Sequence, residues 1–552
     1  MPTRVRPGKT SAEPGQTPQQ IAAALEEFLA QHPKAVVLED GKVLFDMRAA
    51  KYSLTTEHGR CALQLWSEER NIVRRVSQTA ERAGMLRLTT HRFGQTRPGS
   101  LELVADRDRR TPTTREATRK QYLRTLERAM LRGRGSVWGD WKPDGFRTAM
   151  DLEKSFGPAY ARGSLVQGQQ GWAVIGVNAA ETQATVDGIV TLGVLWLAHC
   201  RENAGGRRLY RGLRLILPKG MATLTASRLA WMNGDAAQWE LWEFDEKTEE
   251  LEQRDAADHG NLSTRLLQVP NELAARERFA EATARVMELV PEAMRAVVEQ
   301  RVRSGSEMAF LLHGLEFARV RMGYAGASFN HTQEVTFGAG ANETPLTEGN
   351  AGELRELVAR LFARRSAEKA DARDPLYRMQ PERWLESVLR RDVTAIDAHL
   401  EAAHVYTQVP AFAAADRGML DLLSVDRDGR LAVIELKADD DLHLALQGLD
   451  YWVRVRWHHQ QNPDRMSGLG EFQRHGYFGG VRLAEGAPRL YLVAPALRVH
   501  PATEVVLRYL SPRVDWILVA IDERWRKKIK VIWRKRSGEL KVPVSLSYSY
   551  NS

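Results

Sequence analysis

Cysteine is almost absent from the 552-residue chain, which contains only Cys61 and Cys200. Two thiols are too few for a disulfide framework, a four-thiolate iron–sulfur cluster or an all-cysteine zinc site within one chain. Long hydrophobic runs are missing as well, because the longest strongly apolar stretch, 189–198, is shorter than the roughly 18 residues of a membrane-spanning helix. The amino end has no signal-peptide core. We therefore expect a soluble, cytoplasmic protein without a membrane contact.

The composition is that of a folded protein with a mild excess of positive charge. Hydrophobic residues make up 43% of the chain and charged residues 27%, so large cores are possible. The count of 79 Lys and Arg against 70 Asp and Glu gives a net charge of +9. This excess permits an anionic partner without requiring one.

The pattern of apolar residues, turns and charge runs divides the chain into five regions. Within these regions we expect four local features: a helix over 65–83, a linker over 106–120, one long amphipathic helix over 272–302 and a Gly- and Asn-rich loop over 338–352. The five regions are a disordered arm (1–19), a mixed α/β region (20–118), a first α/β domain (119–255), a helical and loop connecting region (256–375) and a second α/β domain (376–552).

The most informative segment is 418–459. The tetrapeptide Asp-Arg-Asp-Gly at 426–429 separates two apolar runs and is typical of a turn, which predicts a β-hairpin over 419–437. Centring the turn there places Asp421 roughly opposite Glu435, and directly opposed side chains have Cβ atoms about 4.5–5.5 Å apart. Glu435 and Lys437 share one face of the second strand. Two charges on a buried strand are costly unless they are paired or bind a metal.

A helix is predicted to follow the hairpin, with the aspartates at 439–441 supplying its amino-terminal cap. An apolar stripe runs along one face of this helix. Polar side chains at three- and four-residue intervals form a row along another face, and they extend the set of polar residues at the end of the hairpin. The members of this row are His443, Gln447, Tyr451, Arg454 and His458.

This arrangement resembles the PD-(D/E)XK nuclease superfamily, and most closely its RecB-like branch, which includes mismatch-directed endonucleases. The matching residues are Asp421, the Glu435-Leu436-Lys437 tripeptide, and Gln447 followed after three residues by Tyr451. The resemblance covers about residues 380–530. No proline precedes Asp421, and the cluster cysteines of some RecB-like nucleases are absent.

The resemblance implies a role for each matching residue. Asp421, Glu435 and the Leu436 carbonyl would hold Mg²⁺ or Mn²⁺, hard cations that prefer oxygen ligands. Lys437 would orient or deprotonate the attacking water and offset phosphate charge. Gln447 would fix the water or Lys437, and Tyr451 would support that helix face. A helical glutamate precedes the core in this family.

Glu386 is the candidate for that helical glutamate and could complete the metal shell through water. A structural interpretation stands beside the catalytic one. Glu435 and Lys437 would then form a plain ion pair on an edge strand, and Gln447 and Tyr451 would belong to a solvated helix face.

The two α/β domains resemble each other in sequence. Segment 162–179 is similar to 417–438 if the second hairpin is given four extra residues. The alternative is that both halves simply alternate strands and helices, which would give a similar pattern. This alignment leaves the first domain without metal-binding carboxylates, as expected of a degenerate nuclease-like copy. It pairs Glu435 with Gly176, Lys437 with Asn178, Asp421 with Val166 and Glu386 with Glu127.

The densest basic run is at 524–536, with Trp525 and Trp533 interleaved. Cations and flat rings suit phosphate contact and base stacking, whereas the alternative is a solubilising edge strand. The candidate nucleic-acid contacts are Arg454, Arg524, Arg526, Lys527, Lys528, Arg534 and Lys535.

We therefore expect an α/β protein with a restriction-endonuclease-like mixed sheet flanked by helices, duplicated into a degenerate first copy and an active second copy. The expected activity is that of a Mg²⁺- or Mn²⁺-dependent nuclease acting on DNA. The alternative is an inactive nuclease-like scaffold that binds nucleic acid or assists assembly. The two copies are expected to pack as a pseudo-dimer within one chain, or the chain to form a homo-oligomer.

Overall fold

The computed structural model of the protein describes most of the chain. The described residues are 16–39, 42–47, 50–56, 60–66, 71–82, 84–91, 98–105, 112–132, 139–148, 156–256, 264–324, 331–340, 344–366, 371, 373–413, 419–461 and 467–540. No helix within these ranges is both long enough and apolar enough to cross a membrane.

The amino-terminal part is one helix and an antiparallel sheet of order β2-β1-β7-β6-β5-β4-β3. Thr17 caps the helix by accepting a hydrogen bond from the Gln20 amide, 3.3 Å away. The helix therefore begins inside the predicted arm, of which residues 1–15 lie outside the described residues. The elements are α1 (Pro18–Gln31), β1 (Val36–Glu39), β2 (Lys42–Asp46), β3 (Lys51–Thr55), β4 (Cys61–Trp66), β5 (Asn71–Arg82), β6 (Met85–His91) and β7 (Gly99–Val104).

The helix predicted over 65–83 is wrong, because this stretch holds the end of β4 and all of β5. Buried and exposed side chains alternate along β5: Arg74 and Val76 are buried, whereas Arg75 is exposed. That period of two is the period of a strand. The buried Arg74 is paired with Glu39 at 3.5 Å, so its charge is accommodated inside the sheet.

The first α/β domain is a sheet of order β13-β12-β11-β10-β9-β8 with helices on both faces. The linker predicted over 106–120 is wrong from Pro112 onward, where a helix begins, and 106–111 lie outside the described residues. The elements are α2 (Pro112–Arg132), β8 (Lys142–Arg147), β9 (Tyr160–Gln167), β10 (Gln170–Val177), α3 (Gln183–Asp187), α4 (Ile189–Asn203), β11 (Leu209–Pro218), α5 (Thr223–Leu229), β12 (Gln238–Asp245) and β13 (Glu250–Arg254).

The connecting region is only partly helical. The single helix predicted over 272–302 is wrong, because Val290 is extended before Pro291 and the chain then enters a strand. A proline disfavours helical geometry at the residue before it. The elements are β14 (Thr264–Leu266), α6 (Glu272–Arg278), α7 (Ala280–Leu289), α8 (Glu292–Arg295), β15 (Val298–Ser304), β16 (Glu307–Leu312), β17 (Leu315–Tyr324), β18 (His331–Phe337), β19 (Thr344–Pro345), α9 (Ala351–Arg364) and α10 (Pro375–Arg378).

The loop predicted over 338–352 is interrupted by β19 and by the start of α9, and 341–343 lie outside the described residues. Strands β15 to β19 form a five-stranded antiparallel sheet in sequence order.

The second α/β domain is a seven-stranded sheet of order β14-β20-β21-β22-β23-β24-β25. Its hairpin and the helix after it carry the candidate site. The elements are α11 (Pro381–Arg391), β20 (Tyr406–Ala413), β21 (Met419–Val425), β22 (Leu431–Leu436), α12 (Leu444–His459), α13 (Glu471–Arg474), β23 (Arg489–Pro495), α14 (Pro501–Leu507), β24 (Trp516–Ile521) and β25 (Val531–Arg536).

The chain forms two compact units. One contains residues 1–112, 270–366 and 374–379, and the other contains 113–269, 367–373 and 380–552. Both α/β domains therefore belong to the same unit.

The two α/β domains share one strand order. Strands β8 to β13 and strands β20 to β25 follow the same order. In each domain the first three strands are antiparallel, the next two pairings are parallel and the last is antiparallel. Each domain thus has the same mixed sheet.

Two helix glycines fix the residue correspondence between the copies. A Cβ at Gly193 would lie 2.8 Å from Leu213 and 3.1 Å from Ile175. A Cβ at Gly448 would lie 2.5 Å from Leu492 and 3.6 Å from the Cβ of Glu435. Each glycine therefore lets its helix approach the central strand closely. Ile175 thus occupies the place that Glu435 has in the second domain.

The predicted alignment of Glu435 with Gly176 is wrong by one residue. A Cβ at Gly176 would lie 2.7 Å from the Tyr122 hydroxyl, so this position faces α2 on the opposite side of the sheet. A shift of one residue moves every side chain to the other face of a strand. The same correction replaces Asn178 by Val177 as the counterpart of Lys437.

The counterpart of Asp421 changes as well. Ile175 pairs with Arg162 across the β9–β10 hairpin, so Arg162 rather than Val166 takes the place of Asp421. Arg162 is 1% exposed, and its guanidinium lies 4.7 Å from the centre of the Phe156 ring. The first domain thus has an arginine where the second has an aspartate.

The two domains pack against each other with reciprocal contacts. The Asn233 amide donates to the Tyr509 carbonyl and the Ser511 amide donates to the Trp231 carbonyl, both at 2.8 Å. Between them, Met232 forms an antiparallel bridge with Leu510. Each domain thus donates a hydrogen bond to the equivalent segment of the other, which is the pattern of a two-fold interface. The domains therefore form a pseudo-dimer inside one chain, around a shared apolar core.

A buried ion pair crosses this interface and gives a first prediction. The Arg228 guanidinium lies 2.7 Å from the Asp450 carboxylate, and the two side chains are 7% and 13% exposed. Arg228→Met leaves Asp450 buried and unpaired, so we expect a loss of about 3–5 kcal/mol in the free energy of unfolding, measured by denaturant titration.

The double variant Arg228→Met/Asp450→Leu should recover much of that loss. The control is Lys219→Met, which breaks the exposed Lys219–Asp245 pair and should leave stability nearly unchanged. Equal effects of the buried and exposed single substitutions would contradict the interface role.

Candidate metal-binding site

The predicted hairpin is present and its turn is fixed by Asp426. The Asp426 carboxylate accepts hydrogen bonds from the amides of Asp428 at 3.0 Å and Arg430 at 2.9 Å. Gly429 has a positive φ of 82°, which glycine adopts without steric cost. Leu422 pairs with Ile434, so the next step of the register sets Asp421 opposite Glu435, as predicted.

Asp421 and Glu435 form a pair of carboxylates, of which Glu435 is buried and Asp421 is half-buried. Asp421 Oδ2 accepts a hydrogen bond from the Leu436 amide at 3.0 Å. Burial raises the pKa of Asp421 to about 6, and the charge of Glu386 adds to the shift while the Leu436 hydrogen bond opposes it. Burial and the neighbouring Asp421 hold the pKa of Glu435 well above its ordinary value. Two such groups favour a bound cation between them.

Lys437 lies among acidic side chains at the end of the same strand. Its ammonium nitrogen is 3.4 Å from Glu435, 3.7 Å from Asp441 and 3.8 Å from Glu382. Burial lowers the pKa of Lys437, but the surrounding carboxylates outweigh burial and raise that pKa above its ordinary value. Lys437 therefore remains a cation at neutral pH.

Glu382 is a member of the site that the sequence analysis missed. It lies on α11, one helical turn before Glu386, and residues four apart share a helix face. That spacing was the available signal. Burial raises the pKa of Glu382, and the charge of Lys437 opposes the shift.

The predicted helical glutamate, Glu386, is fully engaged by protein groups. It is 1% exposed, and its Oε2 accepts hydrogen bonds from Arg383 and from Gln408, each at 2.8 Å. Its negative charge is one cause of the raised pKa of Asp421, so it lies near the carboxylate pair.

Helix α12 brings Gln447 and Tyr451 to the site. Gln447 precedes Gly448, the residue that packs on Glu435, and Gln447 Oε1 is buried without a hydrogen-bond partner among the described residues. Burial raises the pKa of Tyr451, and the charges of Glu435 and Asp421 raise it further. The tyrosine is therefore close to both carboxylates.

The predicted cap at 439–441 is wrong in detail, because α12 begins at Leu444 with His443 as its cap residue. The Asp441 carboxylate accepts a hydrogen bond from the His443 amide at 2.7 Å, which orders the turn before the helix.

Arg454 and His458 are buried. Arg454 is 5% exposed, with its guanidinium 5.9 Å from the centre of the Tyr451 ring. His458 is 3.0 Å from both Thr264 and Glu471. A phosphate contact by Arg454 stays a prediction, although burial does not favour it.

The basic run at 524–536 is partly structural. Trp525 is 2% exposed and packs edge-on against Trp384, so base stacking on Trp525 is ruled out by burial. The guanidinium of Arg526 lies 4.2 Å from the centre of the Trp525 ring. Strand β25 is the edge strand of its sheet, as the structural alternative predicted.

The other candidate contacts of this run differ in their surroundings. Arg524, Lys527 and Lys528 are exposed. Arg534 donates to the Ile396 carbonyl at 2.7 Å, and Lys535 lies 2.6 Å from Glu504. The first three side chains are therefore the better candidates for phosphate contact.

The residues of the site fit a hard divalent cation with few protein ligands. Glu435 Oε2 and Gln447 Oε1 are both buried without a hydrogen-bond partner among the described residues, and buried oxygens are rarely left so. Within those residues no group of three or more His, Cys, Asp or Glu side chains is placed to hold a metal. Mg²⁺ retains several waters and commonly takes only one or two carboxylates.

Comparison with known proteins gives no match: no protein-family model, curated protein or solved structure matches the chain.

The carboxylate pair predicts a stability effect that depends on metal. Glu435→Gln removes a buried carboxylate whose pKa is raised by burial, so the variant should melt about 1–2 °C higher than the wild type in chelator, as about 1 kcal/mol would produce in a unit of this size. Mg²⁺ or Mn²⁺ should raise the melting temperature of the wild type and not of the variant. The exposed Glu485→Gln is the control, and an equal response to metal in all three proteins would contradict the site.

A pH dependence follows from the pKa of Asp421. The pKa is about 6 in the fold against an ordinary 3.8, so ionised Asp421 destabilises the metal-free protein. The destabilisation is absent below pH 3.8, grows as the pH rises from 3.8 to about 6 and is complete above about pH 6. Asp421→Asn should therefore be more stable than the wild type at pH 7 and equal to it near pH 3.5, by denaturant titration in chelator. A stability difference between the two proteins that does not change with pH would contradict the raised pKa of Asp421.

Proposed function

We propose that the protein is a metal-dependent nuclease that hydrolyses phosphodiester bonds of DNA, with its active site in the second α/β domain. The observation that carries the proposal is the unsatisfied, buried Glu435 Oε2 beside the half-buried carboxylate of Asp421 and a lysine. An arrangement so costly to fold is expected where a cation and a phosphate compensate it.

The proposed ligands of Mg²⁺ or Mn²⁺ are Asp421, Glu435 and the Leu436 carbonyl. The cation would polarise the scissile phosphate and lower the pKa of a bound water. The Leu436 amide already donates to Asp421, which fixes the orientation of that carboxylate before any ligand arrives.

Lys437 would act as a charged donor rather than as a base. Its surroundings raise its pKa, so it holds its proton at neutral pH and can orient a water or offset charge that grows on the phosphate. Glu382 and Asp441, 3.8 and 3.7 Å from the ammonium, help to hold it beside Glu435. The free Gln447 Oε1 would accept a hydrogen bond from a water at the site.

The first α/β domain lacks the groups for this chemistry. Arg162, Ile175 and Val177 stand at the positions of Asp421, Glu435 and Lys437, and none of them binds a cation. We therefore propose one active site in the pseudo-dimer.

Substitution of the three central residues tests the activity. Asp421→Asn, Glu435→Gln and Lys437→Met should each lower the cleavage rate of labelled duplex or single-stranded DNA in Mg²⁺ or Mn²⁺ by about 10²-fold or more, since each removes a preorganised contact to reacting groups. DNA binding measured in chelator should change little, because phosphate contacts elsewhere dominate affinity.

The matched control is Asp440→Asn, an exposed aspartate of the same segment, which should cleave like the wild type. Retained activity in Glu435→Gln would disprove the assignment. Binding that is insensitive to chelator, with no cleavage by the wild type on any substrate, would instead support the inactive scaffold.

A further inference from the structure

A groove on the first α/β domain has features of a second ligand site. It has a volume of about 400 Å³ and lies between strand β8, the start of β11 and the carboxyl-terminal half of α4. We call it the α4 groove. Its principal polar and aromatic lining residues are Arg147, Arg207, Arg208, Asp144, Trp196 and His199.

The groove is open because the first domain lacks a covering segment that the second domain has. By the correspondence of Gly193 with Gly448, Asn203 at the end of α4 matches His458 on α12. His458 is 3% exposed, and the Phe472 ring lies 6.2 Å from it, supplied by the long connection at 460–488. The equivalent connection in the first domain is only 204–208. The helix face that is covered in the second copy is thus open in the first.

Positive charge dominates the α4 groove. Three guanidiniums face one carboxylate, that of Asp144, which Arg208 binds at 2.8 Å. Arg147 and Arg207 are exposed, and neither forms an ion pair with a carboxylate among the described residues. Two cations in one concave site favour an anion.

The tryptophan and tyrosine rings of the groove are buried and are not available for stacking. Trp196 is 6% exposed, stacked on His199 at 5.1 Å and approached by the Arg147 guanidinium at 5.6 Å. Tyr210 is 8% exposed, with its hydroxyl 3.1 Å from Ser164. A ligand therefore meets guanidiniums and not an aromatic face, which suits a phosphate and not a base.

Cys200 in the groove wall is not a nucleophile. Burial raises the pKa of its thiol to about 12, so the thiolate is absent at neutral pH. The groove thus has no cysteine thiolate that could act as a nucleophile.

We propose that the α4 groove binds the phosphate backbone of a nucleic-acid strand through Arg147 and Arg207, independently of base sequence. The degenerate copy then serves as the substrate-holding half of the pseudo-dimer. The identity of the ligand as nucleic acid rests on the proposed function, whereas the anion preference rests on the groove itself.

Binding of a fluorescein-labelled oligonucleotide of mixed sequence, followed by anisotropy in chelator over a range of salt, tests the proposal. Arg147→Glu/Arg207→Glu should weaken binding by about tenfold or more and lower the slope of log K against log salt by about two. The control Arg124→Glu/Lys247→Glu makes the same charge change at exposed sites of the same domain. It should leave the slope unchanged.

The milder Arg147→Gln/Arg207→Gln keeps the test decisive if the charge reversal prevents folding, and it too should lower the slope by about two. Wild-type binding by the groove variants, or equal losses in the control, would overturn the proposal. Because cleavage plays no part in this readout, a protein that binds through the groove but cuts nothing would disprove the nuclease and not the groove. If the protein cuts DNA and the groove variants bind normally, the groove proposal is disproved and the nuclease proposal is not.

Discussion

The placement of two carboxylates side by side, one buried and one half-buried, is the constraint on which the second α/β domain depends. Asp421 and Glu435 face each other across a hairpin whose other inward residues are apolar, and burial raises the pKa of both. A strand can hold such a pair only where counter-charge and hydrogen bonds are supplied. Lys437 and the Leu436 amide supply part of that compensation. Glu435 Oε2 has no hydrogen-bond partner among the described residues, and the proposed cation would complete the compensation there.

The pseudo-dimer shows what the same sheet becomes when that constraint is removed. Ile175 and Arg162 replace the carboxylates, while the close approach of helix to strand is preserved at Gly193 and Gly448. The shared apolar core crosses from one domain to the other, so the first domain supports the fold of the second without any metal chemistry of its own. Its outer surface is open to another role, and the α4 groove is the surface to which we assign one.

The sequence allowed the candidate site to be predicted because its signals are local. An Asp-Arg-Asp-Gly turn between apolar runs fixes a hairpin, and the hairpin fixes which carboxylates face each other. Glu382 escaped notice because its link to Lys437 joins a helix and a strand that lie far apart in the chain. Periodicity also misled where burial was decided by tertiary contact, as with the buried Arg74 in a strand predicted to be helical.

The one-residue error in the repeat has a similar cause. The Ala-Val-Ile triplets at 173–175 and 432–434 match as letters, yet the packing of two helix glycines places Ile175 with Glu435. Apolar side chains on both faces of a buried strand leave the register open in sequence. Only contacts across the sheet decide which face each residue occupies.

The most direct test of the central claim is a crystal structure of the full chain with Mn²⁺, read by anomalous scattering. The account predicts one Mn²⁺ per chain, bound by Asp421 and Glu435, with no ion at Arg162 and Ile175. The anomalous peak of Mn²⁺ should be lost in crystals of the Glu435→Gln variant. A well-ordered crystal without Mn²⁺ at the carboxylate pair, or with an ion in the first domain as well, would contradict the account.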